Sequence, residues 1–240
     1  MILSFLKTII YVPMYNGLIL LMDALPFIDV GIAVILFTII IKLLLFPLSK
    51  KAVKTQIEMK RIAPELEELK TAYKDDQQEY AKQMLALYKK HDINPFSSIL
   101  LMLIQIPIII SLYYVFLKGL PVVDVNILYS FVREPFFIDT NFLGLHDIST
   151  SKGVWLALAA AVSSFFQMRF SVPIPEKKTK ARESFKDDLA RSMSIQMRYI
   201  FPIVIFFIAY NVIGVVALYW ITSNIFTIGQ EIYIRRHLSK

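Results

Sequence analysis

Long stretches of this 240-residue chain carry no charge, and a few short segments hold nearly all of it. That is the pattern of apolar spans separated by solvated loops. The first span predicted is Val30 to Leu48, 19 residues with Lys42 as the only charge. The second, Phe96 to Leu117, has 22 residues and no charge. The third, Gly153 to Met168, has 16 uncharged residues, about 24 Å of helix. That falls short of a hydrocarbon core of roughly 30 Å, so Lys152 and Arg169 must snorkel or the bilayer must thin. Tyr199 to Gln230 is uncharged for 32 residues, about 48 Å and too long for one crossing. Asn211 and Gly214 break it, which predicts two spans, Ser194 to Tyr210 and Val212 to Tyr233, joined by a tight turn.

The segments between the spans carry their own pattern. From Ser49 to Asp92, apolar residues recur at helical spacing: Ile57, Ile62, Leu66, Leu69 and Tyr73, then Tyr80, Met84, Leu87 and Tyr88. Lys74, Asp75 and Asp76 separate the two runs, which predicts two antiparallel helices. Pro64 should kink the first helix, and Asn94-Pro95 should open the second span. Residues Pro173 to Arg191 read as a basic loop with a short helix from Ala181 to Arg191. Ile2 to Leu25 is apolar but interrupted by Pro13, Asn16 and Asp23. It reads as an amphipathic helix in the outer interface, with an extra span or a retained anchor as alternatives. No cleavage site follows it, so it is not a good secretory signal.

Charge sets the orientation. Segments 49–92, 169–198 and the tail after Tyr233 hold 21 Lys or Arg, against four in the segment before Val30 and the loop Lys118 to Lys152. The positive-inside rule puts the N-terminus outside and the C-terminus in the cytosol. Five spans satisfy this parity. The net charge of +7 is therefore read as topology and contact with anionic lipid, not as recognition of a specific nucleic-acid sequence. The fold predicted is an all-α membrane protein. Its parts are an interfacial segment (1–29), span 1 (30–48), a cytosolic helical hairpin (49–93), span 2 (94–117), an extracytosolic loop (118–152), span 3 (153–169), a cytosolic basic loop (170–193), span 4 (194–211), span 5 (212–234) and a short cytosolic tail (235–240).

Lys42 is the main functional candidate. A charge at mid-span costs about 3 kcal/mol on insertion scales. Such a residue faces a bundle interior or a watery cavity, or else it snorkels. Lys42 lies about 12 Å from Lys50 along a helix, near enough for a stem to approach the cytosolic interface. However, Cβ bonds tilt toward a helix N-terminus, which here lies outside, so Lys42 should lean toward the membrane centre. Further polar residues stand in the spans: Ser97, Ser98, Gln105 and Ser111, then Ser163, Ser164 and Gln167, then Thr222, Ser223, Asn224, Thr227 and Gln230. Asn224, Thr227 and Gln230 share a helical stripe. They either bond between helices or, with Lys42, line a polar groove.

Other chemistry has little support. The chain has no cysteine, which excludes disulfides, thiolate metal sites and a cysteine nucleophile. The three histidines are scattered, so no metal site is expected. No phosphate loop, zincin motif or activated nucleophile is present, and neither an enzyme activity nor a cofactor is expected.

Several motifs in register resemble the YidC/Oxa/Alb insertases. They are Ile41-Lys42-Leu43-Leu44-Leu45-Phe46-Pro47-Leu48-Ser49, Ile62-Ala63-Pro64-Glu65, Tyr73-Lys74-Asp75-Asp76, Leu87-Tyr88-Lys89-Lys90 before Asn94-Pro95, Gln105-Ile106-Pro107, and Ala217-Leu218-Tyr219-Trp220-Ile221-Thr222-Ser223-Asn224. The resemblance runs from about Leu3 to Ile234. It implies a five-span core in a bacterial plasma membrane, with a hydrophilic groove open to the cytosol and to lipid. It implies groove residues Lys42, Gln105, Ser163, Gln167, Tyr219, Ser223, Asn224 and Thr227, and hairpin residues Pro64, Tyr73, Asp75, Asp76 and Tyr88. Partners implied are nascent membrane proteins and lipid, with the ribosome and a Sec channel beside them. Lys42 stands where the family carries arginine, so the charge remains and the bidentate donor does not. No large extracytosolic domain is expected before the first span. With a tail of seven residues, ribosome contact should rest on the hairpin and loops. The rival reading is a small-molecule or ion transporter with Lys42 as its anion site, which would call for repeated halves; none is visible.

Overall fold

The computed structural model describes residues 7–94, 96–117, 122–149, 153–171 and 191–238. A π-helical turn, Lys7–Tyr11, leads into α1 (Val12–Ala24). Then come α2 (Val30–Leu44), α3 (Phe46–Arg61), α4 (Ala63–Ala72), α5 (Gln77–Lys90) and α6 (Phe96–Leu117). A 3-10 turn at Val125–Ile127 precedes two short strands, β1 (Asn141–Phe142) and β2 (His146–Asp147). Helix α7 (Val154–Ser171), a π turn (Gln196–Ile200), α8 (Phe201–Asn211) and α9 (Gly214–Leu238) complete the order. The chain forms two compact units, Met1–Leu43 with Pro107–Ile232, and Leu44–Ile106 with Tyr233–Lys240.

In the first unit α7 buries mostly small and polar side chains. On α7 the buried positions are Leu156, Ala157, Ala160, Ser163 and Ser164, whereas Leu158, Val162, Phe166 and Phe170 are exposed. Small and polar side chains face the neighbouring helices and large apolar ones face outward. That is the arrangement suited to lipid, where packing and interhelical hydrogen bonds replace a hydrophobic core. Helix α8 packs along α7 and exposes Ile203, Val204, Phe207 and Ile208. Asn224 bonds Ser164, and seven residues further along both helices Ser171 bonds Glu231. Helices α7 and α9 therefore run in the same direction, with α8 between them in sequence.

The strands pair antiparallel, Asn141 with Asp147 and Phe142 with His146. Their turn uses positive φ at Leu143 (53°) and Gly144 (69°). Glycine carries the second of these without a Cβ penalty. Gly31 lies beneath this hairpin: a Cβ there would stand 2.2 Å from the Phe142 ring.

The second unit holds α3, α4 and α5. Ile62, Leu87 and Ile93 are buried together, with Met59, Leu66, Leu69 and Tyr88 packed against them. Asp76 caps α5, its Oδ1 accepting from the backbone N–H of Gln78 (3.1 Å) and Glu79 (2.9 Å). At the far end, Asp92 turns into positive φ (50°), and the Ile93 N–H bonds the Tyr88 carbonyl at 2.9 Å.

Several sequence expectations need adjusting. The apolar helix opening at Val30 ends at Leu44, not Leu48, because Pro47 sits in the first turn of α3. Pro64 does not kink one helix; it sits in the first turn of α4, after a break at Ile62. Helix α7 continues to Ser171, 18 residues in all and about 27 Å, which relieves most of the expected mismatch. The break after Asn211 takes two residues, Val212 and Ile213, before α9 begins. The two short strands were not foreseen. The helix expected at Ala181 to Arg191 lies outside the described residues apart from Arg191. By length and composition, two described helices can cross a membrane, Val154–Ser171 and Arg191–Asn211; the bent pair α2–α3 adds a third only if it is one span. Helix α6 is apolar over Leu103–Leu117.

Candidate functional site

Helix α2 carries Lys42 in its last turn. Thirteen of its fifteen residues are apolar or glycine, so only tertiary context can accommodate the ammonium. That context is α9. Lys42 Nζ donates to Thr227 Oγ1 at 3.2 Å. Thr227 in turn donates to the Ser223 carbonyl one turn back, at 2.7 Å. The hydroxyl is thereby oriented with a lone pair toward the ammonium. Lys42 is half-buried and makes no ion pair among the described residues.

Around it α9 presents a polar stripe, and α7 answers it. Asn224 Nδ2 donates to Ser163 Oγ (3.1 Å) and Ser164 Oγ (2.9 Å), all three buried. The Ser163 hydroxyl itself donates to the Ala160 carbonyl at 2.9 Å. Gln167 Nε2 donates to Ser171 Oγ at 2.9 Å, and Ser171 donates to Glu231 Oε1. A chain of donors and acceptors thus joins α7 to α9 at two levels, about 10 Å apart along the helices. Gln230 is buried, and its Nε2 has no hydrogen-bond partner among the described residues.

The candidate groove residues therefore divide. Lys42 and Thr227 meet directly. Ser163 and Asn224 meet directly, and Gln167 joins through Ser171. Ser223 contributes its carbonyl and Tyr219 is buried on the same helix. Gln105, half-buried on α6, belongs to the other unit. The hairpin candidates also divide: Pro64 and Asp76 start helices, Tyr73 ends α4, Tyr88 packs on the small core, and Asp75 is exposed. Sequence reasoning missed the part played by Ser171 and Glu231. The signal was there: Ser164, Gln167 and Ser171 recur at helical spacing, and Glu231 follows Asn224 by seven residues, on one face.

A sequence model of the family described as 60Kd inner membrane protein matches residues 22–240. The chain belongs to the YidC/Oxa family. It is 33% identical over 208 residues to the membrane protein insertase YidC of Francisella tularensis subsp. novicida (strain U112), covering 86% of this chain and 32% of that protein. The same figures hold for the insertase of subsp. tularensis (strain SCHU S4) and of subsp. holarctica (strain LVS). The chain thus spans about a third of the length of these relatives. They are named as insertases, not as enzymes or transporters. Lys42, Thr227, Asn224 and Ser163 all fall within the matched family region, as do the helices of the second unit.

Proposed function

We propose that the chain inserts hydrophobic segments of nascent membrane proteins into the bilayer through a polar groove centred on Lys42. The observation that carries this reading is the bond from the Lys42 ammonium to Thr227, within a polar stripe on an otherwise apolar helix bundle. The relatives named as insertases support it, and nothing favours the transporter alternative.

Five spans carry the groove: α2, α6, α7, the helix Arg191–Asn211 and α9. The parallel course of α7 and α9 supports one return crossing between them. With the basic segments in the cytosol, the N-terminus lies outside and α1 lies in the outer interface. A nascent segment enters from the cytosol. Its acidic or polar flank is drawn toward Lys42, whose hydroxyl partner is a weaker ligand than a carboxylate and is readily exchanged. Water along the polar stripe shortens the apolar distance that the flank crosses. The apolar segment then moves sideways into lipid, gaining about 25 cal/mol per Å² of surface removed from water. The helical hairpin α4–α5 guides the segment in. No nucleotide is needed, because burial supplies the free energy. Lipid is the receiving partner, and the ribosome or a Sec channel supplies the chain.

The test is insertion into reconstituted vesicles of a single-span substrate with an acidic translocated flank. Lys42→Ala is expected to lower the yield by a factor of about 5–30, the equivalent of one to two kcal/mol. Lys42→Arg is expected to insert at the wild-type level. Full activity of the alanine variant would overturn the electrostatic role.

A further inference from the structure

An open cavity of about 420 Å³ lies between α4 and α5. Its apolar lining is Leu69 and Ala72 from one helix and Ala86 and Leu87 from the other. Its rim is charged. Glu65 accepts an ion pair from Lys90 Nζ at 3.6 Å and lies 3.5 Å from His91 Nε2, so the rim's one lysine is already engaged. Glu68 also lines the cavity, is exposed, and makes no hydrogen bond or ion pair among the described residues. The cavity therefore offers apolar surface beside an unmatched carboxylate.

The charge of the surrounding chain has the same sense. Residues 46–61, which form α3, carry five Lys or Arg against one Glu. Residues 62–79 carry six Asp or Glu against two Lys. The segment reads as one basic loop when counted whole, but it is basic along α3 and acidic from Ile62 through the turn. Basic residues next to a span suit anionic headgroups. The α4 wall of the cavity, with its unmatched Glu68, does not; it suits a cation.

We propose that this cavity binds a short cationic amphipathic segment, with apolar side chains on Leu69 and Leu87 and a lysine or arginine on Glu68. The occupant is the basic flank of the segment undergoing insertion. The retained flank of an inserting span is rich in Lys and Arg by the positive-inside rule, and it adjoins the apolar residues of that span. It thus brings both chemistries that the cavity takes. This assignment rests on the insertase reading.

The full chain in zwitterionic vesicles tests it, because such lipid does not itself attract the flank. A photo-crosslinker replaces Ala72, and the probe is a single-span substrate whose retained flank carries four lysines or, in a control, four glutamines. The lysine flank is expected to cross-link about tenfold better than the glutamine flank, a difference of about 1.4 kcal/mol. Glu68→Lys is expected to erase that preference. Ala86→Trp, an exposed position that fills the cavity, is expected to remove the cross-link to both. Cross-linking that ignores flank charge, or that survives both substitutions, would overturn the site. So would a cross-link formed to ribosomal protein in place of the substrate flank. Insertion is scored separately. If wild-type protein inserts neither substrate, the insertase reading fails; if it inserts both without the cross-link, only this site fails.

Discussion

Two excursions leave the apolar helices, and they are held by opposite means. The one described over residues 122–149 has little core of its own. It is stitched to the bundle by buried polar groups. Asn16, 2% exposed, donates to the Ile127 carbonyl at 2.8 Å and accepts from the Tyr129 N–H at 2.6 Å. The Tyr15 hydroxyl accepts from the Asp124 N–H at 2.7 Å. Asp29 caps α2 through Ile32 and also accepts from the Leu143 N–H at 3.0 Å. The Ile148 carbonyl accepts from Val215 N–H at the start of α9. The other excursion, α4 with α5, carries its own core on Ile62, Leu87 and Ile93 and keeps its charges outside. The first is a cap that cannot move without breaking hydrogen bonds to three helices. The second is a local unit whose stability depends on its own packing.

The comparison breaks most visibly at Ile62, which is fully buried. Ile62→Ala is expected to cost about 3 kcal/mol through lost burial and the cavity left behind. Hydrogen exchange should show the loss in α4 and α5, with protection in α7 and α9 unchanged. A loss spread over both units would mean that the helix pair is not locally stabilised.

Asp29 is the converse case. Asp29→Ala removes a helix cap and leaves the Leu143 N–H without its carboxylate partner, at an expected cost of about 2 kcal/mol. The loss should appear together at the start of α2 and in the β1–β2 hairpin, read by exchange at Ile32 and Leu143. A loss confined to α2 would show that the cap is not coupled to the bundle. Asp76 caps α5 from an exposed position, and Asp76→Ala should cost only about 1 kcal/mol, seen at Gln78 and Glu79 alone.

These particular residues show how far the sequence could be read. Apolar runs free of charge located the helices of the bundle, because the hydrocarbon core tolerates little else. Lys42 was legible for the same reason: one charge in an apolar span has few places to go. Its partner Thr227 was legible as a member of a stripe, though not as a ligand, since spacing gives a face and not a neighbour. Asn16 was read as an interruption of an apolar segment, and Asp29 was not singled out. Their true role depends on carbonyls and N–H groups more than a hundred residues away, and no local pattern encodes that. Glu231 stands on the last apolar helix, but its bond to Ser171 needs the parallel register of α7 and α9. The helix breaks at Leu45 and Ile62 were misplaced by a few residues. In both cases a proline, Pro47 or Pro64, stands in the first turn of the helix that follows the break.

The smallest expected effect sharpens the contrast by pH. Tyr88 packs on the core of the helix pair, and burial, followed by the nearby charge of Tyr80, raises its pKa above the ordinary tyrosine value of about 10. The unfolded chain therefore loses this proton first as pH rises. Between the unfolded and folded pKa values the native state holds more protons, so stability falls with increasing pH. The contribution is fully present below about pH 10 and is lost as pH climbs through the folded value. Tyr88→Phe should flatten that part of the curve and leave the region below pH 9 unchanged. The readout is the difference in chemical denaturation midpoint between wild type and variant, followed by far-UV ellipticity from neutral to alkaline pH. Because the helix pair carries its own core, the difference should track unfolding of α4 and α5 and leave the Asp29 contacts intact. An identical pH dependence in the two proteins would remove Tyr88 from the packing that sets this unit's stability.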